Sequence, residues 1–257
     1  MANLYYLDAL NHGVPEAGAL AEVTGEEARH AVRVSRLRVG EEILVGDGRG
    51  TIAAGTVEET AKDRFTVRIE TVRRDPDPVH RLVLVQALAK GDRDERAVEQ
   101  ATEFGVDAIV PWQAARSVSR WDGAGGTEKA AKGVAKWRRI AREASKQSMR
   151  AWIPEVRDPV TLDGLCALAG RDGVELVVLH PGDECSLSEW TRQRRHLGEW
   201  AAATCVVIGP EGGFAEHELE ALMNAGASVC VLGSTVLRTS SAGPAALAVL
   251  SVALGRW

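Results

Sequence analysis

Cysteine is scarce and scattered: Cys166, Cys185, Cys205 and Cys230 are the only four, and no two of them form a C-x-x-C pair. That spacing excludes a zinc knuckle, gives no disulfide framework and suits a reducing cytosol. G-x-x-x-x-G-K-[ST] occurs nowhere, so the chain lacks the lysine and hydroxyl that a nucleoside triphosphate and its magnesium require. The N-terminal MANLYYLDALNHG has no basic stretch leading into an apolar run, and the longest apolar segment, close to the C-terminus, is broken by serine and proline. Neither a secretory signal nor a membrane span is expected, which points to a soluble, cytoplasmic protein. Internal repeats and low-complexity tracts are also missing. The net charge of −5 offers nothing to a nucleic acid until the charges are located along the chain.

What is present is enough apolar matter for a real core, 45% of 257 residues, in one large domain or one medium and one small. RRDPDP, residues 73–78, sets two prolines among charges and marks an extended linker. Before it, EEILVGDG, GTIAAGTVEET and DRFTVRIETVRR are short β-branched runs split by Gly and Asp, the pattern of hairpins in a small β-barrel over residues 1–74. After it, over residues 79–257, apolar strands such as RLVLVQAL, VDAIVPW, ELVVLHPG, CVVIGP and SVCVLG alternate with longer helical segments. That alternation predicts an α/β domain, a parallel sheet covered by helices on both faces.

Three glycine loops compete for a ligand. VGDGRGT (45–51) has the alternating glycines of a Rossmann-type methyltransferase, but strand-like TIAAGTVEE follows where a helix is needed, so a hairpin turn is expected. WDGAGGTEK (121–129) has polar flanks and reads as a flexible loop. VVIGPEGGF (206–214) runs from a strand into a glycine loop and then a helix. Glu211 would repel phosphate there, so a phosphate-free ligand with some positive charge fits better, and S-adenosylmethionine, a cationic sulfonium, meets that description. A tight turn with Glu211 in water remains the plainer alternative. Two more strand ends, LVVLHPGD (176–183) and VCVLGSTVLRTSS (229–241), suggest three loops converging on one ligand.

IGPEGGF followed by LG and LRT, with HAVRVSRLRVG, VEQATEFGV, REASKQSMR, IPEV and LHP elsewhere, resembles the ribosomal RNA small-subunit methyltransferase E family of the SPOUT class, over nearly the whole chain. The resemblance implies an N-terminal PUA-like barrel and a C-terminal α/β domain threaded into a trefoil knot, a rare topology. It also implies S-adenosylmethionine in the knot, a homodimer, and methylation of N3 of one uridine in 16S ribosomal RNA, with no metal. Carried over, the cofactor loops are His180 and Pro181; Ile208, Gly209, Pro210, Glu211, Gly212 and Gly213; and Leu232, Gly233, Val236, Leu237, Thr239 and Ser240. Thr235 stands where the family usually has arginine, and Ser240 where it has glutamate. These departures keep a second class of function in view, a noncatalytic rRNA-binding or ribosome-assembly factor.

N3 of uracil carries an imide proton that must leave before methyl transfer, so a fixed cation beside the base would assist, and Arg238 is the first candidate. Phosphate or the facing subunit are its other possible partners. Thr239, Ser240 and Ser241 either cap the last helix, with Pro244 in its first turn, or bond base and cofactor. His180 contacts ligand or is satisfied locally.

RNA requires basic surfaces. TGEEARHAVRVSRLR opens with a capping-box pattern, Thr24 and Glu27, then spaces Arg29, Arg33 and Arg36 along one helix face, with Arg38 beyond. Residues 128–150 hold eight Lys/Arg against two Glu, among them Lys132, Lys136, Arg139, Lys146 and Arg150. Trp137, interleaved with them, is a core anchor or a stacking platform. The final helix, PAALAVLSVAL, is apolar nearly all round, as in a core or at a subunit interface.

Overall fold

The computed structural model describes residues 3–7, 14–122, 125–182, 185–198 and 200–257. The chain divides into two compact units, Met1–Asp77 with Ser145–Ile153, and Pro78–Ala144 with Pro154–Trp257.

In the first unit, β1 (Leu4–Tyr6), β2 (Leu20–Thr24), β3 (Glu42–Gly46), β4 (Thr51–Thr60) and β5 (Arg64–Arg74) form one sheet in the order β1-β3-β4-β5-β2. Strand alternation turns Phe65, Val67 and Ile69 of β5 to one side. There they meet Val23, Ile43, Val45 and Val57, with Ala28 and Ala31 of helix α1 (Gly25–Arg33) closing the core. VGDGRGT is the hairpin turn expected: β3 and β4 pair antiparallel, and Gly50 sits at a φ of +102° where an added Cβ would lie 2.6 Å from the Trp152 ring. A strand follows this loop, so the Rossmann-type reading of GDGRG fails.

Two further expectations for this unit are corrected. Thr24 occupies the N-cap of α1 without a side-chain cap bond. Glu27 instead accepts from the Tyr6 N–H at 3.3 Å and pairs with Lys146 at 3.2 Å, so no capping box forms. Helix α1 also stops at Arg33, because the Leu37 N–H reaches back to the Ala31 carbonyl and Leu37 enters the core, leaving Arg36 left-handed at a φ of +56°. Arg29, Arg33 and Arg36 therefore do not share one helical face.

Ser145–Ile153 joins the first unit although it follows the RRDPDP linker by many residues. The Tyr6 hydroxyl donates to the Arg150 carbonyl at 2.6 Å, and Ala151 is buried with Leu4, Tyr6 and Ile52.

The second unit alternates β6 (Arg81–Ala87), α2 (Arg93–Glu103), β7 (Ala108–Trp112), α3 (Gly126–Gln147), β8 (Glu155–Val156), α4 (Leu162–Ala169), β9 (Val174–Leu179), α5 (Leu187–Leu197), β10 (Ala203–Ile208), α6 (Glu216–Asn224), β11 (Ser228–Cys230) and α7 (Thr239–Ala253). Part of the loop expected at 121–129 is helical from Gly126 onward, and residues 123 and 124 lie outside the described residues. All six strands are parallel, in the order β11-β9-β10-β6-β7-β8. Both faces are covered, which explains the unbroken apolar runs: Leu82 and Leu84 of β6 face a core shared with α2, α3, α5 and α7, while Val83 and Val85 face one shared with α4 and α6. Trp137 is a core anchor, 1% exposed and edge-on to Trp121 at 5.5 Å. Among the described residues no helix is long and apolar enough to cross a membrane, and no cluster of three His, Cys, Asp or Glu could hold a metal ion.

Candidate active site

In a parallel sheet every strand delivers its following loop to the same edge, and a crevice opens where neighbouring connections run in opposite directions. Here β6 leads outward through β7 to β8, while β10, on its other side, leads toward β9 and β11. At the carboxyl ends of these strands lies a cavity of about 640 Å³. The three expected loops meet in it: Leu179, His180 and Pro181 after β9; Ile208, Gly209, Pro210, Glu211 and Gly213 after β10; and Leu232, Val236, Leu237 and Arg238 after β11, with Thr239 opening α7. Thr235 lines it too, whereas Gly212, Gly233 and Ser240 do not.

Buried hydrogen bonds fix the wall. Trp112 Nε1 donates to the Ile208 carbonyl at 2.9 Å, and the Trp112 ring stacks on Phe214, another lining residue, at 5.7 Å. Gln86 Nε2 donates to Thr239 Oγ1 at 2.9 Å, and Thr239 Oγ1 donates to the Gly209 carbonyl at 2.8 Å. The capping role weighed for this segment is thereby corrected: Arg238 holds the N-cap position with no side-chain bond, and the Thr239 hydroxyl serves the β10 loop. Pro244 falls in the second turn of α7 rather than the first. The backbone N–H of His180 donates to the Cys230 carbonyl at 3.0 Å, and its side chain lines the cavity with its ring 6.4 Å from Phe214.

Glu211 does not offer a free charge. Its Oε1 accepts from Arg93 Nη1 at 2.6 Å and from the Lys90 N–H at 3.0 Å. Burial pushes its carboxyl up, but the Arg93 and backbone hydrogen bonds outweigh burial and hold the pKa below the ordinary value. Arg93 and Arg116 both line the cavity, and neither was identified from the sequence. Arg116 Nη1 donates to the Gly212 carbonyl at 3.1 Å, and a Cβ on Gly212 would come within 3.1 Å of Arg116 Cβ. Glycine at 212 thus makes room for an arginine. The available signal was position, since each arginine follows closely on a strand of the same parallel sheet.

The basic segments separate. Arg29, Arg33, Arg36 and Arg38 are exposed. Lys132 pairs with Glu128 at 2.6 Å, Lys136 with Glu95, and Lys146 with Glu27, both side chains of the last pair only 11% exposed. A nearly buried, paired Lys146 is a structural cation, which corrects its assignment to an RNA surface. Arg139 is exposed and Arg150 half-buried.

The chain joins a small β domain to a doubly covered parallel sheet with a glycine-loop cavity at its carboxyl edge, and both parts match domain models of an RNA methyltransferase. Residues 75–251 match the RNA methyltransferase domain model and residues 23–70 the RNA methyltransferase PUA domain model. The chain belongs to the ribosomal RNA small subunit methyltransferase E family. The member from Mycobacterium tuberculosis is 40% identical over 100% of this chain and 94% of its own, and that from Bacillus subtilis 30% over 96% and 95%. Among solved structures, a methyltransferase of Legionella pneumophila with bound S-adenosylmethionine superposes with a TM-score of 0.83 at 30% identity, covering 98% of both chains. The family member from Neisseria gonorrhoeae, bound to the same molecule, gives 0.79 at 25% identity, also over 98% of both.

Proposed function

We propose that this enzyme, an RNA methyltransferase of the small-subunit ribosomal RNA class, methylates N3 of one uridine in 16S rRNA with S-adenosylmethionine as donor. The observation that carries the reading is the meeting of three strand-end loops in one cavity of about 640 Å³, within the range that encloses a ligand of this size. Leu179, Ile208, Val231 and Leu232 give it apolar walls for an adenine ring, and the glycine loop leaves backbone groups accessible. The donor supplies an electrophilic methyl group. The chain's own contribution is to hold the two reactants together, worth about 7–11 kcal/mol in favourable geometries. Arg238, exposed on the cavity rim, belongs to the RNA side.

The small β domain supplies RNA affinity through Arg29, Arg33, Arg36 and Arg38, which lack acid partners among the described residues. Arg139 extends the basic surface of α3 in the second unit. The enzyme works in the cytoplasm as a homodimer: α7 buries Leu247 and Leu250 but leaves Val252 56% exposed, and Val236 on the β11 loop is 79% exposed. Sedimentation as a stable monomer at micromolar concentration would contradict the dimer. The test of the activity is mass spectrometry of 16S rRNA nucleosides from cells with and without the gene. Selective loss of 3-methyluridine supports the reading, and an unchanged nucleoside profile removes it.

A further inference from the structure

The cavity has two chemically different sides. Toward β9 and β11 its lining is mostly apolar, with His180, Thr235 and Arg238 among Leu179, Val231, Leu232, Val236 and Leu237, while toward β6 and β7 it presents two guanidinium groups, Arg93 and Arg116. Both are fastened to consecutive residues of the GPEGG loop, Arg93 to the Glu211 carboxylate and Arg116 to the Gly212 carbonyl. The loops that carry them are pinned from beneath by buried acids. Asp94 Oδ2 accepts from the Ala89 N–H at 3.1 Å, just ahead of Arg93. Glu218 bridges the Ala115 N–H at 2.7 Å and the Ala215 N–H at 2.8 Å, fixing the residue next to Arg116 to the start of α6. Asp94 is 5% exposed and Glu218 2%.

Each anchor engages one nitrogen of its arginine, and a guanidinium has five N–H donors, so both retain donors for a ligand. Arg238, by contrast, has no hydrogen-bond or ion-pair partner among the described residues to orient its side chain. Cations held before the substrate arrives need no reorganisation when charge develops, which is the condition for a large effect.

We propose that Arg93 and Arg116, rather than Arg238, are the catalytic cations of this site and engage the uracil oxygens on which negative charge collects as the N3 proton is lost. Uracil N3 gives its proton to solvent water, and the freed electron pair forms the N–C bond as the S–C bond of the donor breaks, leaving a neutral thioether. Glu211 and the Gly212 carbonyl act through the arginines as positioning groups. Among the described residues, the remaining charged or titratable groups lining the cavity are Arg238, Glu211 and His180.

This inference rests on the uridine-N3 reading, and the experiment separates the two. Unmodified small subunits from a strain lacking the gene are methylated by wild type, Arg93→Gln, Arg116→Gln, Arg93→Lys and Arg116→Lys, with kcat and KM followed against pH and the product digested to nucleosides. Absence of 3-methyluridine from the wild-type product defeats the reading and the inference with it. With 3-methyluridine present, the Gln variants should lose about a hundredfold in kcat. Their alkaline-rising limb should move up by about one pH unit or more, since an opposite charge no longer favours the anion. Affinity for S-adenosylmethionine by calorimetry should stay within about threefold, as the apolar walls are untouched. The Lys variants, which keep a cation, should hold the wild-type limb. A rise in KM alone with an unmoved limb makes the arginines RNA anchors and overturns the proposal. A cofactor affinity weakened more than about tenfold, or a limb displaced as far by Lys as by Gln, overturns it equally. Should a Gln variant fail to fold, the Lys variants decide alone: a retained limb supports the pair and a displaced one rejects it.

Discussion

Gln86 and Thr239 meet through a 2.9 Å hydrogen bond that joins the carboxyl end of a central strand to the first residue of the last helix. Thr239 Oγ1 accepts there and donates onward to the Gly209 carbonyl, so one hydroxyl serves a strand, a helix and the glycine loop together. Thr239→Val keeps the shape but strands both partners. It should cost about 1–3 kcal/mol in urea unfolding. Because Gly209 lines the cavity, S-adenosylmethionine affinity should fall about tenfold by calorimetry. Unchanged affinity would detach this network from the cofactor loop.

Lys146 and Glu27 form a nearly buried pair in the first unit. Lys146→Met leaves a carboxylate uncompensated, and thermal or urea unfolding should register a loss of about 3–5 kcal/mol. Adding Glu27→Gln should restore most of it. A surface lysine that served RNA alone would show neither effect.

Asp94 gives a pH signature. Burial, with Glu95 adding like charge, raises its pKa to about 6 against backbone hydrogen bonds from Ala89 and Glu95. The folded state therefore holds this proton more tightly than the unfolded chain, and the contribution is full below about pH 4 and lost as pH rises through about 6. The difference curve between wild type and Asp94→Asn should fall by about 2–3 kcal/mol across that window. A flat difference curve would show that folding leaves this carboxyl's pKa where it is in the unfolded chain.

Arg33 and Arg36 are exposed and have no acidic partner among the described residues. Reversing both to Glu should weaken rRNA binding in filter assays and flatten the plot of log K against log salt by about 1.5 or more, one step of about 0.7–0.9 for each lost phosphate contact. An unaltered slope would take this loop out of the interface.

The strands and their common edge were legible because period and burial leave marks in composition. Leu82, Val83, Leu84 and Val85 must all be apolar when a strand is covered on both sides, and the Gly-Pro-Glu-Gly-Gly turn marks where such a strand ends. Arg93 and Arg116 left only the faint mark of following a strand, since Arg93 opens a polar helix and Arg116 lies in a polar loop, and their nearness to residue 211 comes from the order β10-β6-β7. Lys146 misled for a related reason: its spacing on α3 matches an outward basic stripe, and only the fold sets Glu27 against it. Arg36 shows the limit of helical spacing, because the turn that ends α1 depends on Leu37 entering a core assembled from distant strands.

The sheet order also governs how the molecule comes into being. β6 finds one neighbour, β7, soon afterwards, but Arg81 must wait for Ala203 before its other edge is covered. Closing so long a stretch of chain is an entropic toll collected before any contact repays it. A refolding population should therefore regain the β3–β4 and β4–β5 hairpins early and its capacity to hold a small molecule last, because that capacity exists only once β10 has slid between β9 and β6.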